Sequence, residues 1–399
     1  PRWPRDCGGR GVRGVRRRTA DVRPRTRSIS DRAVSGFFPG IRVAPRPAMR
    51  WPEHPVETVR PGRFRPPFCP HPDCPAHRHV PPRFHRHGSF LRPSDRRRIP
   101  RFRCALCRRT CSRQTFSFSY YLKRRDLPLE VAPALQAGSA HRQIARSRAC
   151  AKTTVTRLAN RLSDHARLLH RKALASLPPL GEPVVHDHFE TFVSRQDHAL
   201  ALGTAVGAKS WLVIGIDPAP HRAASRRPDR KNVRSPSRAE RAPYVRSIRR
   251  TLDALAPLVP PDSRLCLRVD GRKDYLAALR SHPQADRFRL EAYPNPVRGP
   301  KGSPRSPEAI VRDRAMAPVD HLHQLLRHTC ADHKRETIAF GRRIESVVGR
   351  MFLTTVWRNF VKGRSERRPD RRTPAMLLGL ADRPWTWRNV LAKRLFETR

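Results

Sequence analysis

Two pairs of closely spaced cysteines, Cys69 with Cys74 and Cys104 with Cys107, have the type and spacing that hold a metal ion. A short loop between two thiolates lets both reach one tetrahedral Zn2+, and a second pair closes the site and staples two hairpin tips. Four protein ligands leave no open position, so this chemistry is structural. His71, His77, His79, His85, His87 and Cys111 stand nearby as substitute ligands. A second chemistry is written further along, where Asp187 lies inside one strand-like run, 182–192, and Asp270 ends another, 264–271. Cleavage of a phosphodiester with divalent metals needs two or three carboxylates converging on ions about 4 Å apart, to activate the attacking oxygen and stabilise the leaving one. The third acid must come from a later helix. Apolar residues recur at helical spacing over 340–352 and leave Glu345 on the flank of the stripe, with Glu336, Glu190 and Asp217 as alternatives. His186 and His188 flank Asp187 and read as packing or DNA-facing neighbours rather than ligands.

The elements that must position these groups follow from periodicity. The stretch between the cysteine pairs is rich in Pro, Arg and His, which predicts a loop or hairpin rather than a second small domain. An apolar stretch, 127–135, closes at Gly138; a short helix at 139–146, a turn at 147–151 and a second helix from Lys152 follow. Ile144, Ala145, Val155, Leu158 and Leu162 pack two crossed helices on a third, as in a helix-turn-helix. That packing leaves Arg142, Lys152, Thr153, Thr154 and Arg157 for phosphates and base edges. Past Pro178 and Pro179 the period changes to that of strands: 182–192, 198–207 and 210–217 form an antiparallel meander. A basic loop at 219–242, a helix, a fourth strand at 264–271, a helix and a fifth strand at 288–293 complete the order. If the first and fourth strands are neighbours in the sheet, Asp187 and Asp270 face one pocket. Thr373 and Pro374 start a C-terminal helix, and Trp385 and Trp387 read as caps on the core.

Composition narrows the partners. The chain has 399 residues, and its 84 Lys+Arg against 33 Asp+Glu give a net charge of +51, which leaves a polyanion, double-stranded DNA, as the expected partner. No apolar run approaches the ~20 residues needed to cross a bilayer, so no membrane is expected. Nine cysteines, an odd number, argue against a secreted disulfide framework and for a reducing bacterial cytoplasm or nucleoid. The expected organisation is a basic, disordered segment at 1–62 or translated upstream sequence, a zinc ribbon at 63–123, a helix-turn-helix at 124–177, a catalytic core at 180–362 and a helical tail at 363–399.

On these motifs the chain resembles transposases of bacterial insertion sequences in which a zinc ribbon and a helix-turn-helix precede a ribonuclease-H-like α/β core with a DDE triad. The resemblance rests on the Phe102 to Phe116 segment, on Arg142-Gln143-Ile144-Ala145, on Asp187 and Asp270, and on Arg343-Ile344-Glu345. It implies a fold with a mixed sheet, in which Asp187, Asp270 and Glu345 bind two Mg2+ or Mn2+ ions. It implies cleavage at the element's ends and strand transfer into target DNA, with a homo-oligomer compatible with such a complex. Cys111 stands where an aromatic is expected, and Gly349 is an awkward residue inside a helix. An inactivated or domesticated transposase that only binds DNA, and a ribbon-bearing transcription regulator, are the alternatives.

Overall fold

A computed structural model describes residues 64–77, 80–93, 96–221, 238–297, 299–300, 302–365, 370–392 and 395. The segment expected to be disordered, 1–62, and most of the basic loop at 219–242 lie outside the described residues.

Between the cysteine pairs the chain forms the expected hairpin, β1 (Phe84–Arg92) antiparallel to β2 (Arg97–Cys104), and β3 (Thr110–Ser112) adds to β2. Almost every β1 residue is exposed. A hairpin with so little covered surface is marginal in water, so its base carries the stability: Phe64, Phe68, Phe102 and Phe116 pack there as a chain of rings 5.2–5.9 Å apart.

Three helices follow, α1 (Leu127–Gln136), α2 (His141–Ser147) and α3 (Lys152–Ala175). At the start of α2 the backbone N–H of Ala140 donates to Gln143 Oε1 at 2.8 Å, satisfying one of the end groups a helix leaves open. The turn into α3 passes through Ala149 at a φ of 45°. Ile144, Ala145, Val155, Leu158 and Leu162 are all buried, as their spacing requires.

The second sheet has five strands in the order β6-β5-β4-β7-β8. β4 (Val184–Val193), β5 (Arg195–Gly207) and β6 (Val213–Pro220) form the antiparallel meander. β7 (Leu265–Val269) runs parallel to β4, and β8 (Phe288–Ala292) runs parallel to β7. Parallel neighbours need a crossover between them: α4 (Arg238–Leu255) leads from β6 to β7, and α5 (Lys273–Arg280) from β7 to β8. Then α6 (Pro307–Thr329) packs on β4, β5 and β7, while α7 (Ile344–Val356) packs on β6 and α3. α8 (Pro374–Leu377) starts at Thr373 as expected, and α9 (Trp387–Val390) is a single turn. Trp385 stacks on Phe360 at 4.5 Å, so it does cap the core.

The helices and the second sheet share one hydrophobic core that runs from Phe118 to Leu391. The boundary expected near 177–180 therefore separates sequence patterns, not cores. His170 ties the two across that boundary, donating from α3 to the Ile214 carbonyl of β6 at 3.0 Å. On the same strand Asn359 donates to the Val213 carbonyl and accepts from its N–H, at 2.9 Å each. These bonds occupy edge-strand groups that would otherwise be open to another chain. Gly349 lets α7 approach α3: a Cβ there would lie 2.8 Å from Ser163 Cβ. The residue that looked awkward inside a helix is the one the helix crossing demands.

Candidate functional site

Alternation along β4 decides which side chains can meet. His186 and His188 point to the α4 and α5 side, where His186 Nδ1 lies 2.9 Å from Tyr275 Oη and His188 packs edge-on against Tyr244. Both are buried, and burial holds their pKa values far below the usual imidazole range, to about 3 for His186. They are packing residues. Asp187 points the other way, towards α6, and its Oδ2 lies 3.8 Å from His323 Nδ1.

Asp270 follows β7, which pairs with β4 through Val184↔Leu267 and Val185↔Arg268. Gly271, at a φ of +82°, turns the chain immediately after it, in a conformation that costs a glycine nothing. Asp187 and Asp270 are thus brought together as expected. Burial, and after it the negative charges of Asp270 and Asp320, lift the Asp187 carboxyl from 3.8 to about 7. Asp270 is raised too, chiefly by burial. Asp187 Oδ1 accepts from the His188 backbone N–H at 2.7 Å, and Asp270 Oδ1 from that of Arg272 at 3.2 Å. The other oxygen of each has no partner among the described hydrogen bonds.

The acid from a helix whose charge acts on Asp187 is Asp320, on α6, rather than Glu345. Asp320 and His323 line a cleft of about 1040 Å³ together with Arg305, Arg312, Arg327 and Arg335. Arg312 pairs with Asp320, and Thr204 Oγ1 lies 2.8 Å from His323 Nε2. Because Thr204 donates its hydroxyl proton to the Asp187 carbonyl at 3.0 Å, His323 must be the donor to Thr204. Its Nδ1 lone pair then faces Asp187. Burial keeps that imidazole neutral, with a pKa of about 3.

Glu345 stands exposed in the first turn of α7, the helix that packs on β6 and α3, and no described interaction links it to Asp187 or Asp270. Glu336 is exposed beside a shallow depression lined by Gln196, Thr337 and Ile338. Asp217 is committed elsewhere, to a two-point pair with Arg250 at 2.6 and 2.7 Å. Glu190 borders the cleft and accepts from Tyr244 Oη at 3.0 Å.

The four cysteines do converge. Cys69 and Cys107 Sγ atoms lie 3.5 Å apart, those of Cys74 and Cys104 3.8 Å apart, and all four fall within 4.8 Å of one another. A tetrahedron of Zn–S bonds has sulfur–sulfur edges of about 3.8 Å. The cluster can hold zinc. Burial pushes the Cys69 and Cys74 thiols up, a cost that a bound cation reverses. Cys111, on β3, is buried outside the cluster, and none of the expected substitute histidines that are described enters it.

On α2 and α3, Arg142, Lys152, Thr153 and Arg157 are exposed and Thr154 is half-buried. All but Thr154 are free to meet a large partner. Among the described residues no helix is long and apolar enough to cross a membrane.

No protein-family model matches the chain, and no curated protein matches it.

Proposed function

We propose that this chain is a DDE-type transposase of a bacterial insertion sequence. In this reading it binds the element's ends through the ribbon and helix-turn-helix and cuts DNA with a ribonuclease-H-like core. The observation that carries the reading is the strand order, which sets Asp187 and Asp270 on adjacent parallel strands beneath α6 with Asp320. Asp187, a buried carboxyl whose affinity for protons is raised further by Asp270 and Asp320, fits a hard divalent cation, Mg2+ or Mn2+, whose ligands are oxygens. Such ions, when bound, supply activation of water and charge stabilisation at the leaving oxygen.

The chain's own residues do the rest. Asp187, Asp270 and Asp320 would hold the cations, and Arg312 balances the Asp320 charge in their absence. The His188 backbone N–H holds Asp187 Oδ1, and His323, locked by Thr204, stays neutral beside the carboxylate. Arg305, Arg327 and Arg335 line the cleft as phosphate contacts, and Arg142, Lys152, Thr153, Thr154 and Arg157 meet the duplex outside it. The four cysteines keep a structural Zn2+ and take no part in cleavage.

The alternative is a chain that only occupies DNA. A duplex carrying the element's end, incubated with Mn2+ and the full chain, separates the two. Cutting by the wild type with tight but non-cutting Asp187→Ala supports the enzyme. Tight binding without cutting by either favours the binder.

A further inference from the structure

We propose a second zinc site, built from Cys330, Asp332 and His333 in the turn that leaves α6 and leads towards α7. These residues are 3%, 5% and 0% exposed, and their ligand atoms all lie within 4.8 Å of one another. The turn itself makes the convergence: Cys330 donates its backbone N–H to Leu326 and its carbonyl accepts from the N–H of His333 at 3.2 Å, folding three side chains to one side.

A buried polar atom without a partner is costly, which is why native interiors contain few. Here Asp332 Oδ1 and both ring nitrogens of His333 are buried and unpartnered. The His333 ring is held edge-on against Phe189 at 5.4 Å, so it cannot swing out to water, and Thr354 Oγ1 lies 3.1 Å from Cys330 Sγ. One cation at the centre satisfies a thiolate, a carboxylate and an imidazole nitrogen together. That mixture of soft sulfur, nitrogen and oxygen suits Zn2+ and excludes Mg2+ as a preferred occupant.

Arg350 and Arg327 lie close by and oppose a cation, and Arg327 donates to the His333 carbonyl at 2.9 Å. The thiolate and the carboxylate together offset the ion's charge, so the arginines face a neutral centre. A water completes the tetrahedron. The role is a local clasp: it fixes the turn that ends α6, the helix that carries Asp320 and His323. The site is distinct from the ribbon cluster and shares no residue with the acidic cleft.

The experiment is zinc stoichiometry on the full chain purified with ZnCl2 present and dialysed against Mg2+. About two zinc ions per wild-type chain are expected, falling to about one in Cys330→Ala and, separately, in Cys104→Ser. X-ray absorption on the wild type gives a readout that no variant's misfolding can spoil. Two sites predict about 2.5 sulfurs per zinc, whereas the ribbon alone predicts about four. One zinc per wild-type chain with four sulfurs, or undiminished zinc in a folded Cys330→Ala, overturns the proposal.

Discussion

Replacing Asp187 by Asn should make the Mg2+-free protein more stable at alkaline pH, the opposite of what removing a good structural contact does. The carboxyl titrates at about 7 in the fold against an ordinary value of 3.8, because burial and the neighbouring acids disfavour its charge. A folded pKa above the unfolded one stabilises the protonated fold. That stabilisation is full below about pH 4 and is lost progressively as pH rises to about 7. At pH 5 the unfolded chain has already released this proton and the fold has not, so about two of the three pH units of loss remain ahead. At 1.36 kcal/mol per unit, wild type should lose ~2–3 kcal/mol relative to Asp187→Asn between pH 5 and pH 8. Urea unfolding of both proteins at the two pH values, without Mg2+ and without chelator, measures the difference directly. Added Mg2+ should restore the wild type at pH 8, since a ligand bound only by the fold stabilises it, and should help the variant much less. A variant destabilised equally at both pH values, or a wild type indifferent to Mg2+, would refute the electrostatic reasoning.

Other outcomes follow from single contacts. Gly349→Ala should cost about 1–3 kcal/mol in urea unfolding by forcing α7 off Ser163, and Ser163→Gly in the same chain should recover most of it. Arg157→Ala should weaken cognate binding by about 1–3 kcal/mol in fluorescence anisotropy if it reads a base; equal loss on random duplex would make it a phosphate contact. Cys104→Ser should release the ribbon zinc and expose β1–β3 to fast amide exchange while the five-stranded sheet stays protected.

Much of the fold was legible because its strands are rich in β-branched and aromatic residues and end at turn formers. The strand runs around Asp187 and Asp270 are found close to where the pattern puts them, and their side-by-side placement is the one the resemblance implied. The four-cysteine cluster was equally readable, since its spacing is local. The nearness of Asp320 to Asp187 was not. α6 announces itself at Ser306, whose side chain accepts from the Ala309 N–H at 3.2 Å, with Pro307 and Glu308 in the first turn. Pro318 in its middle breaks the visual pattern, although Met316, Val319, Leu322 and Leu326 keep the helical spacing and are buried. The helix of Glu345 was legible, but which face of the sheet it would cover is a tertiary fact that periodicity does not carry. Asp217 was misleading for a similar reason: nothing local shows that Arg250, one crossover later, neutralises it.

Strand cleavage by a panel of four variants tests the central claim, that β4, β7 and α6 deliver three carboxylates to one DNA-cutting cleft. A labelled duplex carrying the element's end is incubated with Mn2+ and equal amounts of wild type, Asp187→Ala, Asp270→Ala, Asp320→Ala and Glu345→Ala, with binding measured in parallel. Wild type and Glu345→Ala should nick the duplex and leave a 3' hydroxyl, while the other three bind with nearly unchanged affinity and do not cut. Cleavage that survives Asp270→Ala, or that is lost in Glu345→Ala and kept in Asp320→Ala, would contradict the account.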